Sequence, residues 1–169
     1  MRYQPQPYQP ELFPPSYKYI IDANIVFAQN PSPQPYPRDV WPGMWELIDE
    51  LVKSKEIVTC RQVSREIHPS GDWASQWFEK IGIHVLQEIK PIQDLVVRIV
   101  NENPNMLKFS NRASSSADPF IIASAIHHNL VIVTQESKNS PRKIPQIAAK
   151  YGVESVNISE LCEREGWKF

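Results

Sequence analysis

Short apolar runs alternate along the chain with longer stretches in which apolar residues recur every three or four positions. Residues 17–21 form an aromatic and β-branched run that stops at Asp22 and reads as a first strand. Residues 43–54 place Trp45, Leu47, Ile48, Leu51 and Val52 at helical spacing. A second strand is expected over 56–60, then a short helix carrying Val63, Glu66 and Ile67. Residues 72–82 read as a helix with Trp73, Trp77 and Phe78 on one face, and 83–86 as a weaker strand. Residues 91–103 are amphipathic through Leu95, Val96, Ile99 and Val100. The last third is the clearest: a strongly apolar helix over 117–129, a strand over 130–134, a helix over 143–152, a strand over 155–158 and a terminal helix. Strands alternating with helices predict an α/β fold with three α/β/α layers and a central, mainly parallel sheet. Right-handed crossovers then bring every strand's C-terminal end to one edge, where such sheets bind their ligands.

Composition divides the chain. Ten of the 16 prolines fall within residues 1–42. Residues 1–17, with Gln-Pro repeated, read as an extended proline-rich lead-in, and 18–169 as one domain, a length that suits a single core. A second proline cluster, 30–42, reads as a long loop after the first strand, and 103–116 as a polar loop ending in three serines. The net charge of −1 excludes a field that attracts nucleic acid over the whole surface, so phosphate binding would need a local basic patch. The two cysteines, Cys60 and Cys162, are far apart and rule out a disulfide framework or a cysteine zinc site. With no run of about 20 apolar residues and no apolar N-terminal leader, the expectation is a reduced, cytoplasmic protein with no membrane partner.

Four carboxylates fall on the expected ligand edge. Asp22 ends the first strand, Glu66 lies in the helix after the second, Asp118 opens the apolar helix, and Glu136 follows the fourth strand by two residues. Like charges gathered in a cleft call for a divalent cation. Oxygen donors without His or Cys suit Mg²⁺ or Mn²⁺ rather than zinc, and such a site activates water for attack on a phosphodiester. Each acid also has a plain structural reading: an Asx-turn for Asp22, a helix N-cap before Pro119 for Asp118, a solvated face for Glu66 and a polar loop for Glu136.

The segments Ile20-Ile21-Asp22-Ala23-Asn24, Arg65-Glu66-Ile67, Ala117-Asp118-Pro119-Phe120-Ile121-Ile122-Ala123-Ser124-Ala125 and Val131-Ile132-Val133-Thr134-Gln135-Glu136 together resemble the PIN domain. Within it the chain is most similar to the DUF4411 branch, whose tryptophan-rich helix matches Trp41-Pro42-Gly43-Met44-Trp45. The resemblance runs from about Tyr19 to the end. It implies a metal-dependent endoribonuclease using Mg²⁺ or Mn²⁺, many of its relatives being toxins of toxin–antitoxin pairs. It also implies RNA as substrate, an antitoxin-like protein partner and a homodimer. Asp22, Glu66 and Asp118 take metal-ligand and catalytic roles by this resemblance. Glu136 fills a fourth acidic position more often held by Asp.

Around these acids, Asn24 and Thr134 are candidates to orient them. Lys108, Arg112, Lys138, Arg142 and Lys143 are candidate RNA contacts, with a solvated charged loop as the competing reading. Two other functions fit part of the pattern. A catalytically silent PIN-like binding module would keep the fold without the chemistry. A haloacid-dehalogenase-like phosphatase would use Asp22 as nucleophile, but that chemistry wants a second Asp two residues on, where this chain has Asn24.

Overall fold

The computed structural model of the chain describes residues 16–106 and 117–169. The proline-rich lead-in over 1–15 and the serine-rich loop over 107–116, including Lys108 and Arg112, lie outside the described residues. Five strands form one parallel sheet in the order β3-β2-β1-β4-β5: β1 (Tyr19–Ile21), β2 (Ile57–Cys60), β3 (His84–Leu86), β4 (Val131–Val133) and β5 (Ser155–Val156). Central β1 and β2 are buried at every residue, as a strand covered on both faces must be. Ile20 lies level with Val58 on one side and Ile132 on the other. The chain winds outward from β1 to β3, then returns to place β4 beside β1. This reversal opens a crevice between the ends of β1 and β4, the topological switch point of an open α/β sheet.

Eight helices surround the sheet among the described residues. α2 (Pro42–Lys53) packs on β2 and on α4 (Trp73–Ile81). On the other face α6 (Ala117–His128) packs on β1, β2 and β4, against α5 (Lys90–Glu102) and α7 (Ile144–Lys150). α6 buries seven of its twelve residues, which is why its sequence is apolar almost all round. α4 is fixed at both ends: the Asp72 carboxylate accepts from the Ser75 N–H, and Gly82 closes it at a positive φ of 68° that a side chain would resist. α8 (Ile158–Arg164) starts with a capping box between Asn157 and Glu160.

The structure adds to the sequence reading and corrects it in places. A helix of five residues, α1 (Ala23–Phe27), follows β1 directly, and α3 (Arg61–Ile67) follows β2 just as directly. The first is too short for periodicity to reveal. Asp118 is not the N-cap of α6: it lies inside the helix, in the first turn of the described part, Ala117–His128. Trp73 does not share the buried face of α4, being 47% exposed, while Phe78 is buried and Trp77 is packed against the core.

The long loop after α1 is anchored by Arg38. Its guanidinium makes a two-pronged ion pair with Asp49 on α2 and donates through Nε to Gln29. The same group stands 5.2 Å from the ring centre of Trp45 and 5.4 Å from that of Trp77. Stacked and bidentate at once, Arg38 holds a loop whose prolines forbid a regular element.

Candidate metal centre

Asp22 is the residue immediately after β1 and is only 6% exposed. One oxygen of its carboxylate, Oδ1, accepts from the Ala23 N–H at 2.7 Å, capping α1. The other, Oδ2, accepts from Asn24 Nδ2 at 2.7 Å and from the Thr134 hydroxyl at 2.9 Å. Asn24 also donates to Thr134 Oγ1, and its own Oδ1 accepts from the Gln135 N–H. Asn24 therefore stitches the end of β1 to the end of β4 across the switch point. Thr134, buried just past β4, orients Asp22 rather than Asp118 and also accepts from the Glu136 N–H. A carboxylate offers about four lone-pair positions, and these contacts use three of them.

Asp22, Glu66, Asp118 and Glu136 all line one cavity of about 370 Å³, together with Asn24, Phe27, Asn105, Met106, Ser140, Arg142 and Lys143. The four acids arrive from four separate places: the end of β1, helix α3, the first turn of α6 and the loop after β4. Glu66 and Asp118 are half-buried on its wall. Glu136 is engaged on both oxygens. Oε1 accepts from Lys143 Nζ at 2.9 Å, and Oε2 accepts from the N–H of Ile144, the first residue of α7, at 2.8 Å.

Electrostatics follow from this crowding. The Asp22 carboxyl is pushed up to about 7, first by burial, then by the negative charges of Asp118 and Glu136, against the opposing hydrogen bond from Thr134. The Lys143 ammonium is held in its charged form chiefly by its bond to Glu136, with Asp118 and Asp22 adding attraction. Behind the site, burial pushes the Cys60 thiol up to about 12. That cysteine is an inert strand-end residue. Among the described residues, no three Asp, Glu, His or Cys side chains close round a single point as a finished metal cage. The four acids that line the cavity offer only carboxylate oxygens, the chemistry of a hard cation.

Of the candidate RNA contacts, Arg142 and Lys143 line this cavity. Lys138 does not: its ammonium is paired with Glu160 at the start of α8. Sequence reasoning missed Asn105 and Met106, which reach the cavity from a short 3₁₀ turn after α5, and Phe27 of α1. A larger cavity of about 500 Å³ opens at the opposite edge of the sheet, beside Tyr17, Tyr19 and Tyr151. Its cations Lys18 and Arg164 are answered by Glu56 and Glu154, and among the described residues it gathers no comparable set of reactive groups.

A search of curated proteins finds no match. Among solved structures, the chain is similar to PAE2754 from Pyrobaculum aerophilum, at 16% identity and a TM-score of 0.52 over 89% of this chain and 97% of that one. That likeness supports the three-layer parallel fold. The family described as "Domain of unknown function (DUF4411)" matches residues 19–169, and the chain belongs to that family.

Proposed function

We propose that the chain is a PIN-type endoribonuclease that depends on Mg²⁺ or Mn²⁺. The observation that carries the reading is the convergence of Asp22, Glu66, Asp118 and Glu136, from four separate segments, on one cavity at the switch point of a parallel sheet. The donor chemistry fits the cation: every candidate ligand is a carboxylate oxygen, and the one buried acid, Asp22, is held far above its ordinary pKa by burial and by the anions facing it. Asp22, Glu66 and Asp118 would hold the metal, with Glu136 shared between that role and Lys143. When bound, such an ion acts as a Lewis acid on a phosphoryl oxygen and supplies a water of lowered pKa.

The chain's own residues have distinct duties. Thr134 and Asn24, with the Ala23 N–H, lock the Asp22 carboxylate in one orientation and leave a single lone-pair position unused. Burial of Asp22 keeps competing water from its inner side. Lys143 fixes Glu136 and places a cation where negative charge would build on a transferring phosphoryl group. The antitoxin-like partner and the homodimer remain expectations of the PIN resemblance, as proposals about what this chain meets.

The seat of Lys143 on Glu136 favours one second reading, a silent binding module in which the lysine permanently takes the cation's place. Incubation of the purified protein with a structured RNA, in Mn²⁺ or in EDTA, beside Asp118→Asn, separates the two. The nuclease reading expects cleavage that needs metal and disappears in the variant while its fold persists. Cleavage unaltered by the substitution overturns the assignment of Asp118. Absence of both cleavage and calorimetric Mn²⁺ binding overturns the metal site and leaves the silent module.

A further inference from the structure

We propose that a second cavity, beside the acidic one, holds the phosphate next to the scissile phosphate on a single-stranded nucleic acid. That its neighbour is a scissile phosphate rests on the nuclease reading of the first cavity. The second cavity, of about 380 Å³, is lined by Glu102, Asn103, Pro104, Asn105, Met106, Pro141, Arg142, Ile147 and Lys150. It shares Asn105, Met106 and Arg142 with the first, so the two form one continuous trough across a common wall. Each is within the size range of small-ligand sites, roughly 300–1,000 Å³.

The sign of charge reverses across that wall. The first cavity sets four carboxylates against Arg142 and Lys143. The second has two cations, Arg142 and Lys150, against Glu102, and Glu102 is already answered by Arg98 at 2.9 Å and by the Tyr151 hydroxyl at 2.6 Å. Among the described residues Arg142 has no carboxylate partner. Lys150 Nζ is fixed at 2.8 Å from Asn103 Oδ1, an oxygen that carries no net charge. Asn103 is itself buried and donates to the Ile99 carbonyl and to Tyr151, so the anchor is rigid. The ammonium is thus positioned without being neutralised, which is the arrangement an incoming anion requires. Arg142, on the shared wall, offers a planar donor face to an oxyanion from either side. Asn105, exposed on the same wall, adds an amide that can bond phosphate or a base edge.

A polyanion with regularly spaced charges suits this trough better than a single anion does. One phosphate would lie over the acidic cavity and its neighbour between Arg142 and Lys150. The test is equilibrium binding of a fluorescent single-stranded RNA octamer in EDTA, from about 50 to 300 mM NaCl. It compares wild type, an Arg142→Gln/Lys150→Gln pair and a Lys53→Gln/Lys80→Gln pair. The last two lysines are exposed on α2 and α4, line neither cavity, and remove as much charge. The salt slope should fall by about 0.7 for the first pair, the value for one phosphate neutralised on a single strand, with roughly fivefold weaker binding at 0.1 M. The Lys53/Lys80 pair should bind as wild type does. An unchanged slope in the Arg142/Lys150 pair overturns the site, as does an equal fall in both pairs or no binding by wild type. Thermal melts confirm that each variant is folded. If the binding pattern holds but wild type fails to cleave with Mn²⁺, the nuclease reading falls and the phosphate site stands.

Discussion

Replacing Asp22 by asparagine should stabilise the metal-free protein at neutral pH, although it destroys the candidate site. Folding moves this carboxyl from an ordinary 3.8 to about 7. The folded state therefore keeps a proton that the unfolded chain releases. Stability owed to this group is intact below about pH 4, is lost as pH rises from 4 to 7, and is level above that. At about 1.4 kcal/mol per pH unit the full cost is about 4 kcal/mol. The substituted side chain would carry no charge but would turn its amide toward the Nδ2 of Asn24, setting donor against donor and costing about 1–2 kcal/mol. The net gain at pH 7.5 is about 2–3 kcal/mol, which for a chain of this length raises Tm by about 5–10 °C. At pH 5 wild-type Asp22 is largely protonated in the folded state and the advantage should shrink to near zero. Urea denaturation of both proteins in EDTA at the two pH values measures the difference. Wild-type stability that is flat from pH 5 to 7.5, or a variant no more stable than wild type at pH 7.5, refutes the reasoning. With Mn²⁺ at about 100 times its Kd, wild type alone should gain about 2.7 kcal/mol and close the gap.

Other substitutions probe the supports of the site. Thr134→Val keeps the side chain's shape but removes one donor to Asp22 and the acceptor of Asn24 Nδ2 and the Glu136 N–H. It should cost about 2–3 kcal/mol in urea denaturation, mostly restored by Thr134→Ser, and a loss under about 0.5 kcal/mol would contradict the network. Lys143→Met frees Glu136 from its half-exposed ion pair. Calorimetric Mn²⁺ affinity should rise about fivefold, consistent with about 1 kcal/mol for such a pair, whereas weaker binding would make Lys143 part of the site's frame. Arg38→Lys keeps the charge and loses both the fork to Asp49 and the stacking on Trp45 and Trp77. A loss of about 1–3 kcal/mol, read as a lower urea midpoint at constant m, is expected.

Much of the fold was written in periodicity. β4 could be read from Val131-Ile132-Val133 because a strand buried on both faces is apolar throughout, and α6 because the strands beneath it and its two neighbours in the helical layer leave little room for polar residues. The candidate acids were legible for the same reason, since Asp22 and Glu136 stand just beyond such strands. What was not legible depends on approach between distant segments. Nothing local in Ala23–Phe27 announces a helix, because it is held by the Asp22 cap and by packing on α3. Lys138 and Lys143 look alike in sequence, five residues apart in one polar loop. One turns to Glu160 and the other to Glu136, a choice made by where α7 and α8 dock. Asn105 and Met106 reach the cavity only because α5 ends over its rim.

The four acids carry unequal burdens, and the difference bears on how a cation would enter. Asp22 is buried, hydrogen-bonded three times and displaced far from its ordinary pKa. Glu136 is neutralised by Lys143 and spent on the first turn of α7. Glu66 and Asp118 are half-buried on the wall, where solvent still reaches them. An entering ion would therefore meet the outer pair first and reach the single remaining position of Asp22 last. Its greatest gain would come there, because relieving Asp22 returns up to about 4 kcal/mol of folding cost as binding energy. Lys143 opposes that gain while the cavity lacks a metal and becomes useful once the positive charge is shared with a phosphate. The same lysine that limits affinity for the ion thus stands ready for the anion, and Arg142 and Lys150 extend that preference for anions along the trough.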